Sequence, residues 1–377
     1  MTRMLSIGCV RQNPESSDPE FCTSSPIQAR GAFLISETSL SLSRGTRALQ
    51  STRAKTRTLR FGMTIRKIII DTDPGVDDAM AIFLALRSPE VSVIGLTTIF
   101  GNVHTDLATV NALRLLEIAG RSDIPVAQGA NAPLTRAYAG PVPFIHGDDG
   151  QGNVHLPPAS GRAISQSAAE FIVEQILNAP GEITLVPVGP LTNIALALQL
   201  EPRIAGLVHE VVLMGGNALV PGNTSPAAEA NIHNDPEAAD IVFAANWSVT
   251  MVGLDVTEQT LMNGDHLRLL EQSSSSMAQH LAKITPFYQR FTQDSSGIDG
   301  FYVHDSAAVA FLIDPSLFET QRWPVRVETQ GIGVGKTWPE THVGRTHPDW
   351  AGRPRVNVCT GVDAARLVDL VMDRLNG

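Results

Sequence analysis

Along most of the chain, short runs of apolar and β-branched residues alternate with segments whose apolar positions recur every three or four residues. The runs, which predict strands, lie at residues 66–71, 91–100, 124–127, 182–188, 210–215 and 249–254. They are continuously apolar, which is typical of parallel strands covered on both faces. Segments with helical spacing lie between them, at residues 77–87, 105–119, 165–178, 190–200 and 235–245. The pattern predicts an α/β fold with a doubly wound, mostly parallel sheet and helices on both faces.

The ends of the predicted helices carry capping signals. For the helix at 105–119, Thr105 is a typical N-cap residue and Gly120 a typical C-cap residue. Further helices after residue 260 and a C-terminal stretch from about residue 325 are expected to decorate the sheet. Residues 64–377 contain neither a linker nor a repeat, so we expect them to form a single domain.

Composition narrows the class of protein. The chain is 43% hydrophobic and 18% charged, which is typical of a globular protein, and no stretch approaches 18 consecutive apolar residues, which argues against a membrane partner. Cys9, Cys22 and Cys359 lack the spacing of a zinc site or a disulfide framework. A reducing compartment, with the cytoplasm as the expected location, fits this cysteine usage.

The first 62 residues differ from the rest. They carry nine Lys/Arg, four Asp/Glu and ten serines without a sustained hydrophobic period, so we exclude them from the fold. Two interpretations stay open: a disordered transit peptide for organelle import, or sequence upstream of a true start at Met63. The remaining residues have 19 basic and 34 acidic side chains, a net charge of −15. This excess disfavours nucleic acid as a partner and favours a site that binds a cation.

The most unusual segment is IIIDTDPGVDDAM at residues 68–80, which places four aspartates directly behind a predicted strand. They are Asp71, Asp73, Asp77 and Asp78. Pro74 and Gly75 predict a turn into a helix, whose dipole favours acidic residues in the first turn by at most about 1 kcal/mol. Two carboxylates about 4 Å apart repel by about 4 kcal/mol at an effective dielectric near 20. A hard divalent cation such as Ca²⁺, which takes about six to eight oxygen ligands, is the economical explanation.

Other predicted strands are also followed by residues that could line a ligand site. They include Asn102, Gly189, Met214, Gly215 and Asp255. Ligands of doubly wound sheets bind beyond the carboxyl ends of the strands, so we expect these positions to converge on one crevice.

The segment DTDPGVDDAMA resembles the signature of the nucleoside hydrolases, the inosine-uridine preferring family that cleaves the N-glycosidic bond of ribonucleosides and serves purine and pyrimidine salvage. Further segments resemble family blocks in the family's order. They are TTIFGN (97–102), IHGDDG (145–150), LVPVGPLTNIA (185–195), EVVLMGG (210–216), GNTSPAAEANIHNDPEAA (222–239), VTMVGLDVT (249–257) and VHDSAAVAFLIDP (303–315). The resemblance covers about residues 66–315 and implies hydrolysis of uridine, inosine or both to ribose and the free base.

The resemblance also implies residue roles. Asp73 would be the general base that activates a Ca²⁺-bound water, with Asn102 and His304 as further catalytic residues. The Ca²⁺ ligands would be Asp73, Asp78, Asp305 and the backbone carbonyl of Val188. The ribose would be held by Asp77, Asn102, Met214, Asn223, Glu229 and Asn231. His304 would lie on the base side as the candidate proton donor. Family members also imply a homo-oligomer, a dimer or a tetramer.

The base preference follows only from resemblance. The segments GIDGFYVHD and TQGIGVGKT are most similar to plant-type uridine ribohydrolases, which implies uridine first and inosine second. Candidate contacts to the base are Tyr288, Phe291, Phe301 and Tyr302. His146, Asp148 and Asp149 form another polar loop, which we interpret as a lid or as support around the site.

Two other classes of function are open at this point. The III-DTD segment also resembles the start of haloacid-dehalogenase-type phosphatases, in which the first aspartate attacks phosphorus. No lysine lies near a later predicted strand end to neutralise an aspartyl phosphate, which counts against that class. A catalytically silent protein that binds nucleosides or sugars would lack a catalytic group, and none of the implied groups is missing.

Overall fold

Nine strands form the central sheet of the structure, a computed structural model that describes residues 65–342, 344 and 347–377. Two further strands, β7 and β8, form a small antiparallel sheet. In chain order, the strands of the described residues are β1 (Arg66–Thr72), β2 (Val91–Thr98), β3 (Val126–Gln128), β4 (Ile183–Pro187), β5 (Glu210–Met214), β6 (Val249–Val252), β7 (Leu261–Met262), β8 (Phe301–Tyr302), β9 (Phe318–Val327), β10 (Thr337–Pro339) and β11 (Arg355–Val362).

Helices connect these strands and cover the sheet. In the described residues they are α1 (Val76–Arg87), α2 (Thr105–Ile118), α3 (Pro143–His146), α4 (Ala168–Asn178), α5 (Thr192–Leu200), α6 (Ala230–Asn234), α7 (Pro236–Ala244), α8 (Leu254–Thr257), α9 (Gly264–Gln272), α10 (Ser276–Ser296), α11 (His304–Ile313) and α12 (Ala364–Asn376). Short 3-10 turns occupy Pro202–Gly206, Pro315–Leu317 and Pro348–Trp350.

The strand order of the large sheet is β10-β9-β11-β6-β5-β4-β1-β2-β3. The chain runs outward from β1 through β2 and β3, and then returns to the other side of β1 with β4. β1 therefore pairs in parallel with both β2 and β4. The strand order reverses at this point, and it is there that doubly wound sheets open a crevice for ligands beyond their carboxyl ends.

The sheet is covered on both faces, as the sequence predicted. Ile68 and Ile70 of β1 point into one apolar core, packed by helices such as α1, α10, α11 and α12. Ile69, between them, points into the opposite core with α4, α5 and α7. Because neighbouring residues of a strand face opposite sides, a strand buried on both faces has to be apolar throughout. The predicted α/β fold class is confirmed.

Two local predictions were wrong. The C-terminal stretch does not merely decorate the sheet, because β9, β10 and β11 extend it, with β9 antiparallel to β11 and β10. β9 has exposed polar residues over much of its length, so it lacks the continuous apolar run of the other strands. Thr105 is the first residue of α2, and the N-cap residue is His104. The hydroxyl of Thr105 donates to the carbonyl of Ala130. Gly120 follows the C-cap with φ +67°, a conformation that glycine adopts readily.

The predicted N-terminal extension, residues 1–62, lies outside the described residues together with both interpretations of it. The described residues themselves fall within one compact unit. Among them, no helix combines the length and the apolar character that crossing a bilayer requires.

Candidate active site

The aspartate segment forms the turn that joins β1 to α1. Gly75 is the N-cap residue of α1 and has no side chain to cap the helix, so Asp78 reaches back and accepts from the Gly75 N–H at 3.0 Å. The same carboxylate accepts from the Asp73 N–H at 3.2 Å, from the Thr72 hydroxyl at 2.5 Å and from the Asn102 side-chain amide at 3.0 Å. Four donors therefore hold Asp78 in one orientation.

Asp73 occupies a space that two glycines leave open. Its Oδ2 accepts from the backbone N–H of Asn102 at 2.6 Å. Its Oδ1 is buried and has no hydrogen-bond partner among the described residues. A Cβ atom would lie 2.0 Å from Oδ2 at Gly101 and 2.5 Å from Oδ1 at Gly189, so neither position can carry a side chain unless Asp73 moves. One oxygen of Asp73 is thus fixed and the other is free to accept a proton.

Asp77, Asp78 and Asp305 bring their carboxylates together at the start of α1 and α11. One oxygen from each lies within 4.8 Å of the others, an arrangement that can hold a metal ion. Burial and the nearby charge of Asp78 raise the pKa of Asp77 to about 8. Burial, followed by the charges of neighbouring aspartates, also raises the pKa values of Asp73 and Asp305 well above the usual range. A bound cation would offset this repulsion and keep the carboxylates ionised.

The fourth aspartate of the segment, Asp71, is held apart from this cluster. Its Oδ1 accepts from the Thr97 hydroxyl at 2.5 Å and from the Asn193 amide at 2.8 Å. Burial raises its pKa to about 7. Asp71 therefore supports the strand end and the loops beside it.

Three of the predicted ribose residues, Met214, Glu229 and Asn231, meet at the ends of β4 and β5. The side-chain amide of Asn231 donates to the carbonyl oxygens of Val188 at 2.9 Å and Met214 at 3.2 Å. Glu229 is only 2% exposed and accepts from the N–H groups of Gly216 and Asn231, both at 2.8 Å. These contacts bring the predicted calcium ligand Val188 next to the predicted sugar ligands.

Asn223 is placed differently from the other predicted ribose residues. Its side chain is exposed, and its Oδ1 accepts from the Ala230 N–H at 3.1 Å, at the start of α6. In this structure Asn223 thus orders the loop that carries Glu229.

His304 is the first residue of α11, directly before Asp305. Its Nδ1 lies 2.8 Å from the Thr257 hydroxyl and its ring centroid 5.4 Å from that of Tyr302. Burial lowers the pKa of His304 to about 4, so the imidazole is neutral at pH 7. Its place next to a carboxylate of the cluster fits the predicted position at the base side.

The IHGDDG loop packs against the aspartate segment. Its His146 is buried, accepts from the Val76 N–H at 3.2 Å and lies 3.9 Å from Asp77. The ring also stacks on Tyr288, with centroids 5.5 Å apart. Burial raises the pKa of Tyr288, and the charges of Asp77, Asp305 and other groups raise it further.

Phe301, a candidate base contact, and Asp149, of the IHGDDG loop, have structural roles. Phe301 is 1% exposed and belongs to the core. Asp149 accepts from three N–H groups of its own loop, those of Gln151, Asn153 and His155, and so shapes that loop.

Two side-chain amides that the sequence did not reveal hold the Pro74–Gly75 turn. The side chain of Gln151 donates to the Gly75 carbonyl at 2.9 Å, and that of Asn111 donates to the Pro74 carbonyl at 3.2 Å. Gln151 is 76 residues from Gly75 along the chain, and no local pattern marks such a partner.

A lysine lies beyond the end of β5, so the expectation that no lysine lies near a later strand end was wrong. Lys336 places its ammonium 2.7 Å from the carbonyl of Asn217, three residues after the end of β5. That ammonium donates to backbone carbonyls. Lys336 is far from β5 along the chain, so the sequence did not indicate that it lies at this strand end.

The structure thus combines a mostly parallel sheet, an acidic group at its switch point that can hold a metal ion, and amide and carboxylate groups beside that group. A sequence model of the inosine-uridine preferring nucleoside hydrolase family matches residues 68–369, and the chain belongs to this family. It is therefore a ribonucleoside hydrolase, as the motifs implied.

Individual relatives agree with this assignment. The chain is 50% identical over 313 residues to the probable uridine nucleosidase 2 of Arabidopsis thaliana, which covers 82% of this chain and 97% of the relative. It is 44% identical over 268 residues to the inosine-uridine preferring nucleoside hydrolase of Leishmania major, with 71% and 84% covered. A solved plant nucleoside hydrolase, the PpNRh1 enzyme, superposes with a TM-score of 0.81 at 42% identity, covering 83% of this chain and 100% of that one. The match to the nucleoside hydrolase family argues against the alternative of a haloacid-dehalogenase-type phosphatase.

Proposed function

We propose that this enzyme hydrolyses uridine in preference to inosine, that it uses Ca²⁺, and that Asp73 is its general base. The observation that carries the proposal is the buried group of aspartates at the switch point of the sheet, beside an amide-rich and carboxylate-rich loop. The names of the relatives, a uridine nucleosidase and an inosine-uridine preferring hydrolase, support the substrate order.

The side chains at the site fit a hard cation. Asp73, Asp78 and Asp305 would hold it together with the carbonyl of Val188, and Asp77 lies beside Asp78 and Asp305 in the same acidic group. The Oδ1 atom of Asp77 is buried without a hydrogen-bond partner among the described residues, as expected for a group that contacts the bound ion or the sugar. When bound, Ca²⁺ would acidify a water molecule and hold two neighbouring ribose hydroxyls.

Asp73 is suited to remove a proton from the attacking water. The Asn102 N–H fixes its Oδ2, which leaves Oδ1 as the acceptor. In the reaction the water oxygen forms a bond to C1′ while the C1′–N bond breaks and its electron pair leaves with the base. One water proton passes to Asp73, the other stays on the new 1′-hydroxyl, and the departing base takes up a proton from solvent. The sugar passes through an oxocarbenium-like state, which the negative charge of the neighbouring carboxylates stabilises.

The ribose would lie between the aspartates and the loop that carries Glu229. Asp77 and the side chain of Asn102 would contact the 2′ and 3′ hydroxyls. The 5′-hydroxyl is then left for Glu229 and Asn231, with Asn223 next to them on the same loop. Met214 would pack against the sugar at the end of β5.

The departing base would contact His304, Tyr288 and His146. Because His304 is neutral at pH 7, it would act as a hydrogen-bond donor to the base. Outright proton donation, the role that the resemblance implies, would require an imidazolium ion, which burial disfavours. For uracil, the acceptors O2 and O4 carry the charge that develops as the bond breaks.

Release of ribose from uridine, inosine, cytidine and adenosine, measured at matched concentrations, tests the substrate order. The expected result is the highest kcat/KM for uridine, with inosine second, and a reversed order would refute the preference. Treatment with EGTA should abolish turnover, and added Ca²⁺ should restore it. Full activity in enzyme shown by metal analysis to be free of calcium would refute the cofactor assignment.

The predicted dimer or tetramer is a separate proposal. Light scattering after size-exclusion chromatography tests it, and a monomeric mass in active fractions would refute it.

A further inference from the structure

A short loop links the end of β5 to the segment that carries the sugar residues. This 216–220 loop begins two residues after Met214 and leads to Glu229 and Asn231. Its first N–H, that of Gly216, donates to Glu229 at 2.8 Å. The conformation of this loop therefore fixes one side of the Glu229 carboxylate.

Two side chains of opposite charge, both from outside the loop, form hydrogen bonds with its backbone. The ammonium of Lys336 donates to the carbonyls of Asn217 at 2.7 Å, Ala218 at 3.3 Å and Val220 at 3.4 Å. The Asp255 carboxylate accepts from the N–H groups of Ala218 and Leu219, both at 2.7 Å. The cation thus binds the carbonyl groups and the anion binds the N–H groups of one short loop.

The residue after Lys336 completes this arrangement. The Thr337 hydroxyl accepts from the Asn217 N–H at 2.9 Å and donates to the Asn217 carbonyl at 2.7 Å. The side-chain amide of Asn217 then donates to the Ala227 carbonyl at 3.0 Å, just before Glu229. A continuous series of hydrogen bonds therefore runs from Lys336 and Thr337 to the sugar-binding segment.

The burial of Lys336 makes its contacts strong. It is 8% exposed, and Asp255 is 6% exposed. Burying an ammonium costs free energy unless hydrogen bonds and an opposite charge compensate for it. Here three carbonyl groups and the carboxylate across the loop provide both.

We propose that Lys336 is a positioning residue for the sugar: by fixing the 216–220 loop, it orients Glu229 and sets how strongly the enzyme recognises the 5′-hydroxyl of the nucleoside. The inference rests on the proposed placement of the ribose. Lys336 itself does not contact the reacting atoms.

The test compares Lys336→Met with wild type on uridine and on 5′-deoxyuridine, which lacks the hydroxyl in question. Methionine keeps much of the apolar stem and removes the donors. Loss of one good hydrogen bond to the 5′-hydroxyl should raise KM for uridine about tenfold, the equivalent of about 1.4 kcal/mol. KM for 5′-deoxyuridine should stay within about twofold, because that substrate never uses the contact. Lys283→Met, an exposed lysine on α10, is the matched control and should change neither value.

A general structural role would lower activity on both substrates by the same factor, and that result would overturn the proposal, as would unchanged kinetics on both. If Lys336→Met does not fold, Thr337→Val removes the two hydrogen bonds of the Thr337 hydroxyl to Asn217. This variant should raise KM for uridine by a smaller factor. Identical kinetics in a folded Thr337→Val protein would then refute it.

Amide hydrogen exchange separates this inference from the proposed function. Lys336→Met should speed exchange at residues 216–222 and leave β1 unchanged, whatever the substrate is. A wild-type enzyme without activity on any nucleoside of the panel would refute the proposed function, whereas unchanged exchange in the variant would refute the role of Lys336.

Discussion

The substitution Gly189→Ala tests whether the position of Asp73 controls turnover. A Cβ atom at residue 189 would lie 2.5 Å from Oδ1 of Asp73 and 2.8 Å from Cγ2 of Ile99. Ordinary van der Waals contact begins at 3.4 Å, so the carboxylate has to move by 0.9 Å or the backbone has to retreat. The Asn102 N–H holds the opposite oxygen at 2.6 Å, so the movement also strains that hydrogen bond.

The expected cost is large for catalysis and moderate for folding. A displacement of about 1 Å between reacting groups can lower the rate about 100-fold, which corresponds to about 2.7 kcal/mol in the activation free energy. One extra methyl group in a packed site typically lowers the free energy of unfolding by about 1–3 kcal/mol. The variant should therefore fold and bind nucleoside, but turn over slowly.

The assay measures kcat and KM for uridine in saturating Ca²⁺, together with urea unfolding. Gly206→Ala is the matched control, because Gly206 is exposed and a Cβ there meets nothing within 4 Å. Calorimetric titration with Ca²⁺ adds a second readout, since weaker metal binding in Gly189→Ala is expected if Asp73 or the adjacent Val188 carbonyl ligates the ion. A folded Gly189→Ala enzyme with kcat within twofold of wild type would refute the reasoning about Asp73.

Three further predictions concern the same cluster. Asp73→Asn should lower kcat at least about 1,000-fold with an unchanged circular dichroism spectrum, because the amide cannot accept the water proton; activity near wild type would exclude Asp73 as the base. His304→Phe should lower kcat for uridine about 100-fold but spare a nitrophenyl riboside, whose leaving group needs no hydrogen bond, and equal losses on both would contradict a base-side role. In chelated enzyme, Asp77 with its pKa of about 8 binds more protons folded than unfolded above about pH 4. The free energy of unfolding should therefore fall as the pH rises from about 4 to 8, and saturating Ca²⁺ should flatten that slope in urea titrations.

The sequence determined the features that depend on neighbouring residues. Continuous β-branched runs predicted the parallel strands because a strand buried on both faces tolerates few polar side chains. The aspartate turn was equally legible, since Asp78 bonds to Thr72, Asp73 and Gly75 within six residues. The family's motifs carried the activity because the catalytic groups lie within them.

Tertiary structure alone decided what distant segments contribute. Asp305 joins the cluster only because α11 packs beside α1, and Lys336 reaches Asn217 across 119 residues. The neutral state of His304 follows from its burial, which no local sequence pattern indicates. The antiparallel strands β9 and β10 at one end of the sheet were not predicted, because a half-exposed strand carries polar residues like those of a loop. Local steric and hydrogen-bonding preferences depend on adjacent residues, so the sequence indicates them directly. Contacts between distant segments and the loss of water around a charge arise only when the chain packs.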